Sequence, residues 1–231
     1  MGSEVELKML SALATREAYL ELIPQFERAN GLKVAITWAG TVDIMKRVEA
    51  GECYDLVIAS KGAIDDLTKL GKITATSRLD VASSGIGVAV RRGAPRPDIS
   101  SAESLMRALL AAKSVGYSTG PSGVYLAGLF ERLGIAGDIK AKHSSVPSGG
   151  TIGTIIASGE AEIGFQQISE LVHAEGIDLI GPLPAEVQYL TVITAGIPTN
   201  AKEPAAAEAL VKFLTAPASK DVIERAGLQA A

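Results

Sequence analysis

The chain has 231 residues, a formal net charge of −4 and 47% hydrophobic residues, with aromatics at only 4%. That length holds one large or two modest domains, with a core built mostly from Ala, Val, Ile and Leu. The acidic balance argues against a nucleic-acid or anionic-membrane binder. No apolar run reaches bilayer length, and the single Cys53 excludes an intramolecular disulfide.

Leu7 to Leu10 is a short apolar run, and Ala14 to Phe26 follows with Ala14, Ala18, Leu22 and Phe26 at helical spacing. Asn30-Gly31 reads as a helix stop. Lys33 to Trp38 is strand-like, Thr41 opens a second helix and Gly51 closes it. Leu56 to Ala59 is a continuous apolar run, as expected of a strand buried on both faces of a parallel sheet. Ile64 to Leu70 is helical. Cys53 lies just before the third strand and reads as a partly buried thiol. This β-α-β-α-β order predicts a parallel sheet with right-handed crossovers.

The rhythm then changes. Gly85 to Val90 is an apolar strand with no helix directly after it, and Arg91-Arg-Gly-Ala-Pro-Arg-Pro97 is a solvated loop. A second series follows: a helix at Ser101 to Ala112, a strand at Ser114 to Tyr117, a helix from Ser122 and a strand near Ala141 to Val146. A helix at Thr151 to Ser158, a strand at Glu162 to Phe165, a helix at Ile168 to His173 and a strand at Ile177 to Leu179 complete it. Tyr189 to Ala195 is β-like and returns to the first domain. Pro204 to Leu214 and Pro217 to Ala226 are terminal helices with Pro near the start. The predicted fold is α/β, with two domains: residues 4–84 plus 193–231, and an inserted 85–192. Two parallel-rich sheets are joined by two crossing strands, Gly85–Val90 and Tyr189–Ala195.

Tyr117-Ser-Thr-Gly-Pro-Ser-Gly-Val-Tyr125 carries the most chemistry. A strand runs into a turn of small residues and then a helix start, where backbone N–H groups lack internal partners and the helix dipole is positive. Glycines let a ligand approach the backbone, so the turn suits an anion. A plain strand–turn–helix connection explains one such loop equally well. The device recurs at Leu10-Ser-Ala-Leu-Ala-Thr15, Trp38-Ala-Gly-Thr41 and Val146-Pro-Ser-Gly-Gly-Thr151, which suggests a cleft for a small anion at the strands' carboxyl ends.

Arg16 falls in the first turn of the first helix, where the dipole disfavours a cation. A bound carboxylate would relieve that cost through paired hydrogen bonds; the alternative is a solvent-facing Arg beside Glu17. Gln166 and Gln167 end a strand and offer donor and acceptor together. Ser60 reads as a helix cap, Lys61 as solvated, and His143 and His173 as structural or exposed. HExxH, Walker, CxxC and strand–GxGxxG–helix patterns are missing from the sequence, so no metal and no cofactor is expected.

Glu49-Ala-Gly51 with Asp55-Leu-Val-Ile58, Pro121-Ser-Gly-Val-Tyr125 with Leu133-Gly134, and Glu160-Ala-Glu-Ile-Gly164 resemble the periplasmic solute-binding proteins of the molybdate-binding type. A branch of that superfamily is more similar. It is marked by Gly85-Ile-Gly-Val-Ala-Val-Arg-Arg-Gly-Ala-Pro-Arg-Pro-Asp-Ile-Ser100, Arg107-Ala-Leu-Leu-Ala-Ala-Lys-Ser114, Gln166-Gln-Ile-Ser-Glu170 and Gly181-Pro-Leu-Pro-Ala185, and it also resembles bacterial aconitate isomerase. The candidate ligand set is Ser11, Arg16, Thr41, Ser122, Gly149 and Gln167, of which the resemblance implies Thr41, Ser122, Gly149 and Gln167. The first-loop serine of the molybdate binders falls on Ala14, between Ser11 and Thr15, and the second-loop hydroxyl on Thr41. The two backbone donors fall on Ser122 and Gly149, and the tyrosine on Gln167. With a hydroxyl lost and a phenol replaced by an amide, a carboxylate is expected over a molybdate-like oxyanion.

The function expected on this basis is capture of a small anion in an inter-domain cleft by a monomer that delivers it to a membrane ABC transporter. The alternative is an aconitate-isomerase-type enzyme shifting a proton on an unsaturated tricarboxylate, for which no base is identified. Met1-Gly2-Ser3 reads as a start replacing a removed leader, which fits a periplasmic protein.

Overall fold

A computed structural model describes residues 6–146 and 151–231. The chain divides into two compact units. Unit 1 runs up to Ser84 and resumes at Thr191–Ala231, and unit 2 is Gly85–Leu190. The second junction lies two residues before the 192/193 boundary read from the sequence.

Unit 1 opens with β1 (Glu6–Ala12), a 3-10 turn at Leu13–Thr15 and α1 (Arg16–Asn30). The sequence placed Ala14 inside this helix. It lies instead in the tighter turn, so Arg16 becomes the first residue of α1. Ala18, Tyr19, Leu22, Ile23 and Phe26 form the buried stripe of α1. Gly31, at φ 63°, ends the helix in the left-handed conformation that glycine adopts without strain. β2 (Lys33–Ala39), α2 (Thr41–Glu49), β3 (Leu56–Ser60) and α3 (Lys61–Lys69) follow. α3 starts three residues earlier than expected. β1 pairs in parallel with both β2 and β3, with Ser11 opposite Trp38 and Ile58. The carboxyl ends of the three strands therefore share one edge of the sheet, and each leads toward a helix start.

β4 (Leu79–Arg91) begins in unit 1 and ends in unit 2. It is longer than the Gly85–Val90 run, and its Ala82 and Ser83 pair with a short C-terminal strand, β10 (Gln229–Ala230), that has no hydrophobic signal of its own. β9 (Leu190–Gly196) pairs antiparallel with β3. α9 (Pro204–Leu214), a 3-10 turn at Pro217–Ser219 and α10 (Lys220–Arg225) complete the unit, so the last expected helix is split in two. One face of the sheet packs on Leu22, Phe26, Leu210 and Leu214, the other on Ile44, Val48, Ile64 and Leu67. Asp55, 3% exposed, joins the strands to α9. Its carboxylate accepts from the Lys8 N–H (2.8 Å), the Lys202 N–H (2.7 Å) and the Glu203 N–H (2.9 Å). Cys53, expected to be partly buried, is exposed; burial begins at Tyr54.

Unit 2 contains α4 (Ala102–Ala111), β5 (Val115–Tyr117), α5 (Pro121–Arg132), α6 (Ala136–Ala141) and β6 (His143–Ser144). α7 (Ile152–Ser158), β7 (Ile163–Gln167), α8 (Ile168–Leu171) and β8 (Ile177–Pro182) complete it. Ser101 caps α4 by accepting the Ser104 N–H. The strand expected over Ala141–Val146 shrinks to two residues, and Ala141 ends α6, which buries Ile139. β5 is parallel to β6 and β7, with Tyr117 opposite Phe165, while β4 runs antiparallel to β7 and β8. Leu105, Leu109, Leu126, Phe130 and Phe165 centre one cluster, and Ile152, Ile155, Ile156 and Leu171 the other. Among the described residues no helix is long and apolar enough to cross a membrane.

Candidate anion site

In unit 2 the turn after β5 is set by a close backbone approach. Gly120 is extended (φ −75°, ψ −171°), and Pro121 occupies the first helical position, where its missing N–H costs nothing. A Cβ on Gly123 would stand 1.5 Å from the Ser118 carbonyl oxygen, so only glycine fits. The helix start is thereby pressed onto the turn. The Ser122 and Gly123 N–H groups, in the first turn, have no intrahelical acceptor.

The Tyr117–Phe165 register sets Ser118 beside Gln166 at the same end of the sheet. The Gln166 Oε1 accepts from the Ser122 hydroxyl (3.0 Å), the Gln167 N–H (3.2 Å) and, at 3.5 Å, the Ser118 hydroxyl. A backbone N–H can only donate, so the bond from Gln167 fixes which end of the amide is the oxygen. The Gln166 Nε2 is left to donate to Glu170 Oε2 at 3.2 Å. Burial pushes the Glu170 carboxyl up to about 7, against the opposing pull of the Gln166 amide. A line of polar groups thus runs from the start of α5 to a carboxyl poised near neutrality.

In unit 1, Ser11 is fully buried and its hydroxyl lies 2.8 Å from that of Thr15, which donates to the Ala12 carbonyl at 3.0 Å. With Thr15's proton so committed, Ser11 must donate to Thr15. Both candidate serines, Ser11 and Ser122, therefore give their protons to protein acceptors. Thr41 is the first residue of α2, behind an extended Gly40, and is half-buried. Arg16 heads α1, with its guanidinium 2.8 Å from the Glu17 carboxylate and half exposed. Lys61, read as solvated, donates to Asp80 at 2.8 Å, and the Thr194 hydroxyl adds a bond of 2.7 Å to the same carboxylate. These donors hold Asp80 below the usual carboxylate range although its burial pulls the other way.

Ser11, Arg16 and Thr41 thus lie at one edge of the unit 1 sheet. Within unit 2, Ser122 lies past the carboxyl end of β5, near Gln166; Gln167 is buried as the residue preceding α8. Gly149 lies outside the described residues. Thr151 and Thr154 form a reciprocal cap on α7, so two of its N-terminal donors are satisfied from within. His143 packs its ring on Tyr117 at 4.1 Å and places Nε2 3.2 Å from the Tyr117 carbonyl, a structural contact. Among the described residues no group of three or more His, Cys, Asp or Glu side chains is arranged to hold a metal. Glu170 and the bridging role of Gln166 were not singled out from sequence as site residues. The Gln166–Glu170 spacing of four was the available signal, but it acquires meaning only when Ser122 is brought to the same place.

The chain is 35% identical over 229 residues to a Pseudomonas protein named aconitate isomerase, covering 96% of this chain and 87% of the relative. It is 24% identical over 216 residues to the molybdate-binding protein ModA of Azotobacter vinelandii, covering 90% and 83%. The solved periplasmic molybdate-binding protein of that organism shares the fold, with a TM-score of 0.80 at 20% identity over 97% of this chain and 99% of the other. The α/β binding-protein fold and the superfamily read from the sequence are both borne out. The family model described as bacterial extracellular solute-binding protein matches residues 7–229, and the chain belongs to that family.

Proposed function

We propose that the protein binds a small polycarboxylate, of the aconitate type, at the helix starts that follow its parallel strands. The observation that carries the reading is the start of α5, where Gly123 presses on the Ser118 carbonyl and the first-turn N–H groups are left for an external acceptor. The 35% identical relative, named for an isomerase of a tricarboxylate, supports carboxylate over molybdate, as do Ala14 and Gln167 in place of hydroxyl groups. In this reading Ser122 and Gln167 in unit 2, and Ser11, Thr41 and Arg16 in unit 1, are the candidate ligand contacts. Ligand capture would serve a membrane ABC transporter from the periplasm. A thermal-shift panel of di- and tricarboxylates, molybdate and sulfate tests it. A ligand at about 100 times its Kd stabilises by about 2.7 kcal/mol. A shift with molybdate and none with any carboxylate refutes the carboxylate assignment.

A second reading is isomerisation of an unsaturated tricarboxylate by proton transfer. It is favoured by the same relative and by the Glu170 carboxyl, which burial brings to about 7, the range suited to a group that both takes and gives a proton. Incubating the purified protein with cis-aconitate and following the trans isomer by proton NMR decides it. Stoichiometric binding without turnover leaves the binding function alone.

A further inference from the structure

We propose that Glu170 is a positioning residue for the anion site, holding the Gln166 amide and through it the Ser122 hydroxyl, and that an anion seated at the start of α5 draws a proton onto Glu170. This rests on the proposed ligand site and adds a residue and a proton to it.

The geometry gives the direction of the chain. Gln167's N–H and the hydroxyls of Ser122 and Ser118 all donate to one amide oxygen, so Gln166 cannot reverse without setting its NH2 against the Gln167 N–H. The amide nitrogen is thereby held toward Glu170 in every state, and Glu170 supplies its acceptor at 3.2 Å. An ionised Glu170 polarises the amide, strengthens the pull of Oε1 on the Ser122 proton and turns that hydroxyl's lone pairs outward. Both effects oppose a second negative charge at Ser122. A protonated Glu170 still accepts from Nε2 through its carbonyl oxygen, so the scaffold stays in place while the charge disappears.

α8, which carries Glu170, packs against β7 and β8. β7 presents the two glutamines. The acid of β8, Asp178, is engaged with the Gly93 N–H at 2.9 Å, while His173 and Glu175 follow α8 in the chain. Burial is the principal influence on Glu170 and the Gln166 bond opposes it, with the carboxyl near 7. Both protonation states are therefore within reach near neutral pH, and a modest bias moves the balance. Glu170 and Ser122 are separated by bonds of 3.2 and 3.0 Å and one amide. At on the order of 8 Å and an effective dielectric of about 20, repulsion of a unit charge corresponds to roughly tenfold to thirtyfold in affinity.

The experiment pairs calorimetry with NMR on the wild type and Glu170→Gln, with cis-aconitate and molybdate as probes between pH 6 and 8.5. Wild-type affinity is expected to fall roughly tenfold more over that range than the affinity of Glu170→Gln. At pH 7, titrations in buffers of different ionisation enthalpy should show more proton uptake for the wild type; the ligand's own titration is common to both proteins and cancels. In ligand-free protein the Gln166 side-chain amide resonance should move with a midpoint near 7 in the wild type and stay still in the variant, while the ligand-linked proton uptake is the readout that a merely structural role would not produce. A Gln166 amide silent across the range overturns the proposal, as do matching pH profiles of binding. If the amide moves but neither probe binds, the proposed function itself fails, and Glu170 then has no site to position.

Discussion

Replacing Gly123 by Ala tests the anion site at its tightest point. The added Cβ would stand 1.5 Å from the Ser118 carbonyl oxygen, about 1.9 Å inside an ordinary van der Waals separation of 3.4 Å. Both partners are backbone, so no side chain can swing away; α5 or the Ser118 turn must move. A shift of that size takes N–H donors near 2.9 Å from a ligand oxygen beyond hydrogen-bond range. Two donors, Ser122 and Gly123, are affected, at about 1.5–3 kcal/mol each toward a charged acceptor. The Kd should rise about a hundredfold or more. Overpacking should cost about 1–3 kcal/mol of stability, a loss of roughly 2–4 °C in Tm per kcal/mol for a chain of this size. Gly128→Ala is the control. It lies in the same helix, meets only the end of the Arg132 side chain at 3.5 Å, and should leave binding unchanged while stabilising by up to about 1 kcal/mol. Isothermal titration with the ligand found by the panel, alongside thermal melts, reads both effects. If Gly123→Ala lowers Tm but binds within threefold of the wild type, the start of α5 is a structural turn and the ligand lies elsewhere.

Asp55→Ala should destabilise unit 1 by about 3 kcal/mol or more, because three backbone N–H groups lose a charged acceptor together; a urea unfolding free energy within about 1 kcal/mol of the wild type would show that water replaces the carboxylate. Glu170 bears on stability as well as binding. Its folded carboxyl, raised from 4.5 to about 7, holds a proton that the unfolded chain releases, so stability is full below about pH 4.5 and declines up to about pH 7. The loss is at most about 3 kcal/mol, and Glu170→Gln should flatten the Tm profile across that window; parallel profiles would mean the carboxyl is not buried in solution. Arg16→Ala should weaken di- and tricarboxylates at least tenfold by calorimetry and barely change molybdate, since a planar fork matches a carboxylate; equal loss for both anions would show a general charge effect.

Much of the fold was legible because its punctuation is local. Gly31, Gly40 with Thr41, and Pro204 each mark a helix end or start by backbone chemistry that needs no distant partner. The parallel strands of unit 1 read as continuous apolar runs for the same reason that they are buried. What was missed depends on partners far along the chain. Within Leu79–Ser84, Ala82 and Ser83 pair with Ala230 and Gln229 from the far end of the chain, and the six residues of α6 bury Ile139 although Gly137 weakens their helix propensity. Cys53 looked partly buried because a strand follows it, yet the side chains that turn inward are those of Tyr54 and Asp55.

The site divides along the same line. Ser122 and Thr41 were singled out because a helix start of small residues is a sequence pattern, and Arg16 because it offends the helix dipole; the structure places each of them in the first turn of a helix. Glu170 carries no such mark: an exposed Glu in the first turn of a short helix is ordinary, and only burial and the register of β5 on β7 make it unusual. That difference has a chemical consequence. Residues that bind an anion through the backbone can be recognised by what glycine and proline permit. A residue that tunes the charge at the site acts through another side chain, here the Gln166 amide, and is visible only when the partners of that amide are all accounted for. Ser11 and Ser122 follow the same logic. Each resembles a ligand donor by position, but each spends its proton on the protein, on Thr15 and Gln166 respectively. If the proposed reading holds, selectivity in unit 1 should follow from whether an incoming anion displaces the Ser11–Thr15 bond, where a carboxylate met by Arg16 gains a paired partner that a spherical oxyanion lacks.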